Sequence, residues 1–253
     1  MALVPGATTR TLDGHVHAAW ADASRGDLRP SGPSQADGSP LAALATDLAS
    51  ATGAGIDAVV WATQVHGPGV AVVGHGHDAG GTGTGIVFRN FGDYDALVTA
   101  APGTALCVLT ADCAAIALAS AEGVCSAVHA GWRGLVAGVV EAAVTAMRDL
   151  GASDVTASLG PCIHAPCYEF SPTDLDTVAA VYGPSVRGTT TGGRPALDLV
   201  AAVAAAVAAA GARFVDDVDV CTACGARQFS HRARRDVGRQ ALLVWPGDPG
   251  DGL

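Results

Sequence analysis

The chain has 253 residues, 49% of them hydrophobic and 15% charged, which is the balance of a folded protein and not of a disordered one. A net charge of −10 argues against binding nucleic acid by phosphate neutralisation, so an anionic ligand would need a local basic pocket. The opening residues MALVPGATTRTLDG lack the basic and apolar parts of a secretory signal, and Leu199 to Ala210 is too short an apolar run to span a membrane. With seven cysteines, the expectation is a cytoplasmic protein with reduced thiols.

Residues 1 to 20 read as an N-terminal strand region, and Ala21 to Pro40 as a Pro/Gly/Ser-rich loop. Leu41 to Ala51 has helical spacing. Asp57 to Val65 predicts a strand ending at His66-Gly67, and Gly74 to Gly85 a glycine-rich loop. Ala105 to Thr110 predicts a buried strand, Ala111-Asp112-Cys113 a turn, Ala114 to Ser120 a second strand, and Val124 to Val128 a third after the Glu122-Gly123 turn. Gly134 to Leu150 predicts one amphipathic helix closed by Gly151. Val155 to Leu159 reads as a strand, Pro195 to Ala210 as an alanine-rich helix, Phe214 to Cys221 and Ala241 to Trp245 as strands, and 246–253 as a frayed tail. This mixture predicts an α/β or α+β fold, a single domain spanning 1–253 with helices over mostly antiparallel or mixed sheet.

If the three consecutive strands form an up-down-up meander, Cys113 and His129 meet at the same edge of one sheet. A thiolate beside an imidazole is metal-ligand or nucleophile chemistry; a turn cysteine and a hydrogen-bonded core histidine would satisfy the same pattern. A third ligand would leave one zinc coordination position open, as catalytic sites do. His66 is one candidate among eight histidines.

Six runs occur in order: TQVHG (63–67), DALVT (95–99), TADC (110–113), HAGWRG (129–134), GPCI…CYEF (160–170) and CT…FSHR…GR (221–239). Together they resemble the YfiH-like family, also called the laccase-domain or multicopper polyphenol oxidoreductase family and now described as purine nucleoside phosphorylases, over roughly residues 57 to 245. The resemblance implies a single α/β domain of layered mixed sheets flanked by helices, with zinc held by His66, Cys113 and His129. It implies phosphorolysis of adenosine, guanosine and methylthioadenosine, with adenosine deamination; a cell-wall precursor role attaches to some members. Purine nucleoside and phosphate are the expected partners, and the sequence leaves the oligomeric state open.

Arg133, read as standing directly before a helix N-terminus, is a candidate for holding an anion. Asp112 is a candidate proton acceptor or support for a metal ligand, Trp132 a candidate lid or stacking residue, and Gln64, Arg232 and Arg239 candidates for binding substrate. The family's N-terminal Arg-x-Gly-Gly-Val-Ser motif is absent. The stretch about 1–56 is divergent, and Arg25 would have to supply that arginine.

Other readings stay on the table: a cysteine hydrolase or amidase acting through Cys113 and His129, a copper polyphenol oxidase, or an inactive metal-binding homologue. Copper is the less favoured ion, because Met1 and Met147 are the only methionines available as a weak axial ligand. His15-Val16-His17 and His75-Gly76-His77 are expected on exposed surface. Cys221-x-x-Cys224, lacking a second pair, reads as free thiols.

Overall fold

The computed structural model describes residues 4–13, 15–30, 39–53, 55–74 and 86–247. The His75-x-His77 pair, nearly all of the Gly74–Gly85 loop, the middle of the Ala21–Pro40 loop and most of the tail fall outside them. In chain order the strands and helices are β1 (Ala7–Leu12), β2 (Val16–Ala21), α1 (Pro40–Thr52), β3 (Ala58–Thr63), β4 (Val70–Val73), β5 (Val87–Asp93), β6 (Ala96–Thr99), β7 (Thr104–Thr110), β8 (Ala114–Ser120), β9 (Cys125–Ala130), α2 (Trp132–Val136) and α3 (Val139–Asp149). There follow β10 (Val155–Leu159), α4 (Pro172–Tyr182), β11 (Arg187–Thr189), β12 (Pro195–Leu197), α5 (Leu199–Ala209), β13 (Arg213–Asp217), α6 (His231–Arg234) and β14 (Gln240–Pro246).

Two six-stranded mixed sheets carry the fold, with strand orders β1-β2-β14-β7-β3-β5 and β13-β10-β8-β9-β6-β4. They pack face to face. Leu106, Val108, Leu242 and Val244 of the first sheet share one core with Ala115, Ala117, Ala119, Cys125 and Ala127 of the second. At β8 and β9 the second sheet thus turns small side chains inward, while Ile116, Leu118 and Val128 point out beneath α3 and α5. Overpacking so closed a layer costs about 1–3 kcal/mol. The outer face of the first sheet is covered by α1, through Leu41, Leu44, Ala45 and Leu48. Strands covered on both faces become continuous apolar runs, which is why β2, β8, β9 and β14 show no polar alternation.

Local signals set the helix ends. Ser39 accepts from the Ala42 N–H at 3.1 Å ahead of Pro40, and Gly53 closes α1 in the left-handed conformation. The helix α4 was not anticipated. Ser171 caps it and Pro172 starts it, but it buries only Leu175 and Val178, so its periodic signal is weak.

Several expectations need correction. The three strands around Cys113 do not form a meander in one sheet: β7 pairs with β14 and β3 in the first sheet, and β8 and β9 lie in the second. The turn 111–113 therefore carries the chain from one sheet to the other. The helix expected over Gly134 to Leu150 is broken into α2 and α3, because Gly138 takes φ +86°, outside the helical region. Arg133 is the second residue of α2 and does not precede a helix. Pro195 to Leu197 is a strand, and the alanine-rich helix starts only after the Asp198 cap. His17 is buried against the Trp245 ring, not exposed.

Candidate metal centre

His66 follows β3 in a tight turn with φ +60°. One carboxylate holds that strained turn. Asp95, fully buried just before β6, accepts from the backbone N–H groups of Val65 (3.2 Å), His66 (2.9 Å) and Gly67 (2.8 Å). The same carboxylate lies 2.8 Å from His129 Nδ1, at the end of β9. Holding Nδ1 there directs His129 Nε2 at the remaining donors, which is how a carboxylate fixes the tautomer of a metal-ligating histidine.

Cys113 immediately precedes β8, one residue from the Ala114–Ala130 pair, so strand register places it beside the end of β9. Its Sγ is 3.8 Å from His66 Nε2. The candidate ligand atoms of His66, Cys113 and His129 all lie within 4.8 Å of one another. Gly131 makes room for them: a Cβ there would stand 2.7 Å from His66 Cδ2 and 3.2 Å from Cys113 Sγ.

Burial alone would raise the Cys113 thiol, but the neighbouring His129 and His66 imidazoles outweigh it and bring the thiol down to about 6. Burial would likewise lower His129; the Cys113 thiolate and the Asp95 carboxylate outweigh it and push it up to about 9. Asp95 is raised by burial, but the His129 ring and the turn's N–H groups hold it below the usual carboxylate range. These opposite shifts favour a thiolate–imidazolium pair near neutral pH, whose proton a bound cation would displace.

The three donors border a cleft of about 580 Å³ that also exposes Gln64, Arg29, His231 and Arg239. The Gln64 amide is engaged with the Leu109 backbone, donating to its carbonyl at 2.7 Å and accepting from its N–H at 2.8 Å. Arg239 Nη1 donates to the carbonyls of Asp236, Val237 and Gly238 at 3.1, 2.9 and 2.9 Å. Arg25 is not at the cleft, because its guanidinium pairs with Asp47 on α1. The N-terminal arginine that reaches it is Arg29, tied to Asp27, whose carboxylate also accepts the Arg239 N–H at 3.0 Å.

Asp112, buried with φ +106°, accepts from the Thr222 hydroxyl at 2.7 Å and the Arg232 N–H at 2.6 Å. It thus ties the C-terminal segment to the turn that carries Cys113. Beside that turn, Trp132, Phe170 and Tyr168 form edge-to-face pairs at 5.4 and 5.2 Å. Arg133 lies 4.3 Å over Trp132, and Arg232 lies 5.0 Å over Tyr168 and donates to the Glu169 carbonyl. The Arg133 guanidinium has no carboxylate partner among the described residues.

Sequence reasoning missed Asp95, Gly131, Arg29 and His231. Asp95, Gly131 and His231 stand inside runs singled out above, DALVT, HAGWRG and FSHR; Arg29 has no local signal.

The multi-copper polyphenol oxidoreductase laccase family matches residues 35–247. A purine nucleoside phosphorylase of Streptomyces coelicolor is 43% identical, the match covering 81% of this chain and 83% of that protein. One from Streptomyces griseus is 39% identical over 94% of this chain and 97% of its own length. Among solved structures, a Neisseria meningitidis protein superposes with a TM-score of 0.73 at 23% identity, covering 96% of this chain and 99% of that one. YlmD from Geobacillus stearothermophilus gives 0.70 at 24% identity, covering 92% of each chain. These two carry the fold alone.

Proposed function

The chain belongs to the multi-copper polyphenol oxidoreductase laccase family, and from that premise we propose that it is a single-domain, cytoplasmic, zinc-dependent purine nucleoside phosphorylase that also deaminates adenosine. The observation that carries this reading is the His66–Cys113–His129 donor set, backed by Asp95 and opening on an arginine-bearing cleft. Its curated relatives carry the name purine nucleoside phosphorylase. Two imidazoles and one thiolate suit zinc with an open fourth position. Copper of the blue type would want a thioether nearby, and Met147 is instead packed into the core on the buried face of α3.

When bound, zinc supplies a water activated near neutral pH or polarises a reacting oxygen. The chain's own residues do the rest. Asp95 keeps His129 in its ligating tautomer. Tyr168, Phe170 and Trp132 offer ring faces and edges for a purine. Arg133, with no ion-pair partner among the described residues, and Arg232 flank those rings as cations for phosphate, with Arg239 and Gln64 lining the neighbouring cleft. Phosphorolysis forms a bond from a phosphate oxygen to C1′ and breaks the glycosidic C–N bond, the electron pair leaving on the base. Deamination adds water at C6 and expels ammonia. We assign Asp112 the positioning of Arg232 and Cys113, since two donors already occupy its carboxylate.

Chromatography of adenosine, guanosine and methylthioadenosine incubations tests the reading. Free base and ribose 1-phosphate should appear only with phosphate, and inosine should form from adenosine without it. Failure of every nucleoside while a phenol is oxidised would favour the polyphenol oxidase.

One observation favours a second reading. Without metal, Cys113, His129 and Asp95 line up as thiolate, imidazolium and carboxylate, the order of a cysteine hydrolase. Stoichiometric zinc in the isolated protein that shields Cys113 from alkylation argues against it; metal-free protein inactivated by alkylation at Cys113 argues for it.

A further inference from the structure

Three cysteines stand apart from the centre just described. Cys167 ends the 3₁₀ turn Ala165–Cys167 after β10. Cys221 forms a parallel bridge with Cys162, and Cys224 lies three residues on, in a turn closed by the Gly225 N–H donating to the Cys221 carbonyl at 2.8 Å. Their sulfurs all lie within 4.8 Å of one another, with Cys167 and Cys224 2.9 Å apart, and none is in a disulfide. Free cysteines that serve as small hydrophobes are among the most deeply buried residues. These converge at a surface where Cys224 is exposed.

The backbone around Cys221 points the same way. The His164 N–H donates to Cys221 Sγ at 3.5 Å, and the N–H groups of Ala223 and Cys224 are directed at the same sulfur. Several N–H dipoles on one sulfur favour its thiolate, the form that binds metal. Gly225 lets the turn close, since a Cβ there would run into the Gln228 side chain and stand 2.9 Å from the Cys221 carbonyl oxygen. The local chain is thus Cys-x-x-Cys-Gly in a tight turn, with its missing partner, Cys167, supplied from 54 positions upstream of Cys221.

We propose that Cys167, Cys221 and Cys224 form a second metal site that takes one thiophilic divalent ion, zinc, through three thiolates, with the outward coordination position left to solvent. Whatever S–H protons the three sulfurs still carry pass to solvent as three sulfur–metal bonds form, and no oxidation state changes. The ion clasps the turn after β10 to the segment after β13. Thr222, inside that turn, holds Asp112 beside Cys113, so the second ion stiffens the wall of the first centre.

Elemental analysis of the full chain, purified with reductant and without chelator, tests this. Wild type should carry two zinc equivalents, Cys113→Ala one, Cys224→Ser one, and the double variant none. Cobalt in the Cys113→Ala protein should give a strong near-ultraviolet sulfur-to-metal band that Cys224→Ser removes. Because Cys224 is exposed, its replacement should leave the circular dichroism of the fold intact, and Cys167→Ser provides an independent second variant. Equal zinc in wild type and both single serine variants overturns the proposal, as does a Cys167–Cys224 disulfide in protein isolated under reductant. A failure at the first centre would show separately, as Cys113→Ala leaving the zinc content unchanged.

Discussion

The two cysteine-bearing clusters are built in opposite ways. At His66–Cys113–His129 the candidate donors sit at strand ends, and a fully buried carboxylate, Asp95, holds one of them from behind. At Cys167–Cys221–Cys224 the thiols sit in turns at the surface, and backbone N–H groups face the Cys221 sulfur. The first arrangement is preorganised by two packed sheets and borders a cleft, as a reactive site must be. The second brings together turns from two distant parts of the chain, which is the place for a clasp.

The largest effect should come from Cys113→Ala, which removes the only sulfur of the first centre. Nucleoside turnover should fall below detection while the thermal transition moves little. Turnover near the wild-type rate would mean that the donor set is not the reactive centre.

Asp95→Asn keeps the shape but loses the charge behind His129. Metal affinity at the first centre should drop about 10–100-fold, read by chelator competition, with the thiol cluster unaffected. Equal weakening of both clusters would point to a general loss of fold.

The pH dependence should differ in the same sense. In the metal-free first centre Cys113 titrates at about 6 and His129 at about 9. Between those values binding must expel the His129 proton, so affinity should rise about tenfold per pH unit. It should level off above about 9 and fall more steeply below about 6, where Cys113 is protonated too. A flat profile across that window would show that the thiolate–imidazolium pair does not exist.

The smallest effect should come from Thr222→Val, which removes the hydroxyl between the clusters but leaves Asp112 its bond to the Arg232 N–H. We expect a loss of about 1–2 kcal/mol in denaturant unfolding and a few-fold decrease in turnover. A larger fall in turnover without loss of stability would mean that Asp112 acts on the reaction directly.

Much of this was legible in the chain. The strand Val155–Leu159 was read without error, and the helix of Leu41 to Ala51 and the C-terminal strand to within two residues, because each has a clear run and a local stop. Cys113 and His129 were brought together for a partly wrong reason. Their proximity comes from the β8–β9 register, not from a three-strand sheet, since β7 belongs to the other layer. Cys221 and Cys224 are free thiols, as their spacing suggests, but Cys167 joins them from another part of the chain, where spacing gives no warning.

The sequence by itself determined the element types, the motif order and which residue types could bind metal, since these depend on local periodicity, capping and side-chain chemistry. Tertiary structure alone decided that Asp95 stands behind His129, that Arg29 and not Arg25 reaches the cleft, and that Cys167 joins Cys221 and Cys224. Each of those depends on which strands share a sheet and how the sheets stack. Such contacts join residues far apart in the chain, and no local pattern encodes them.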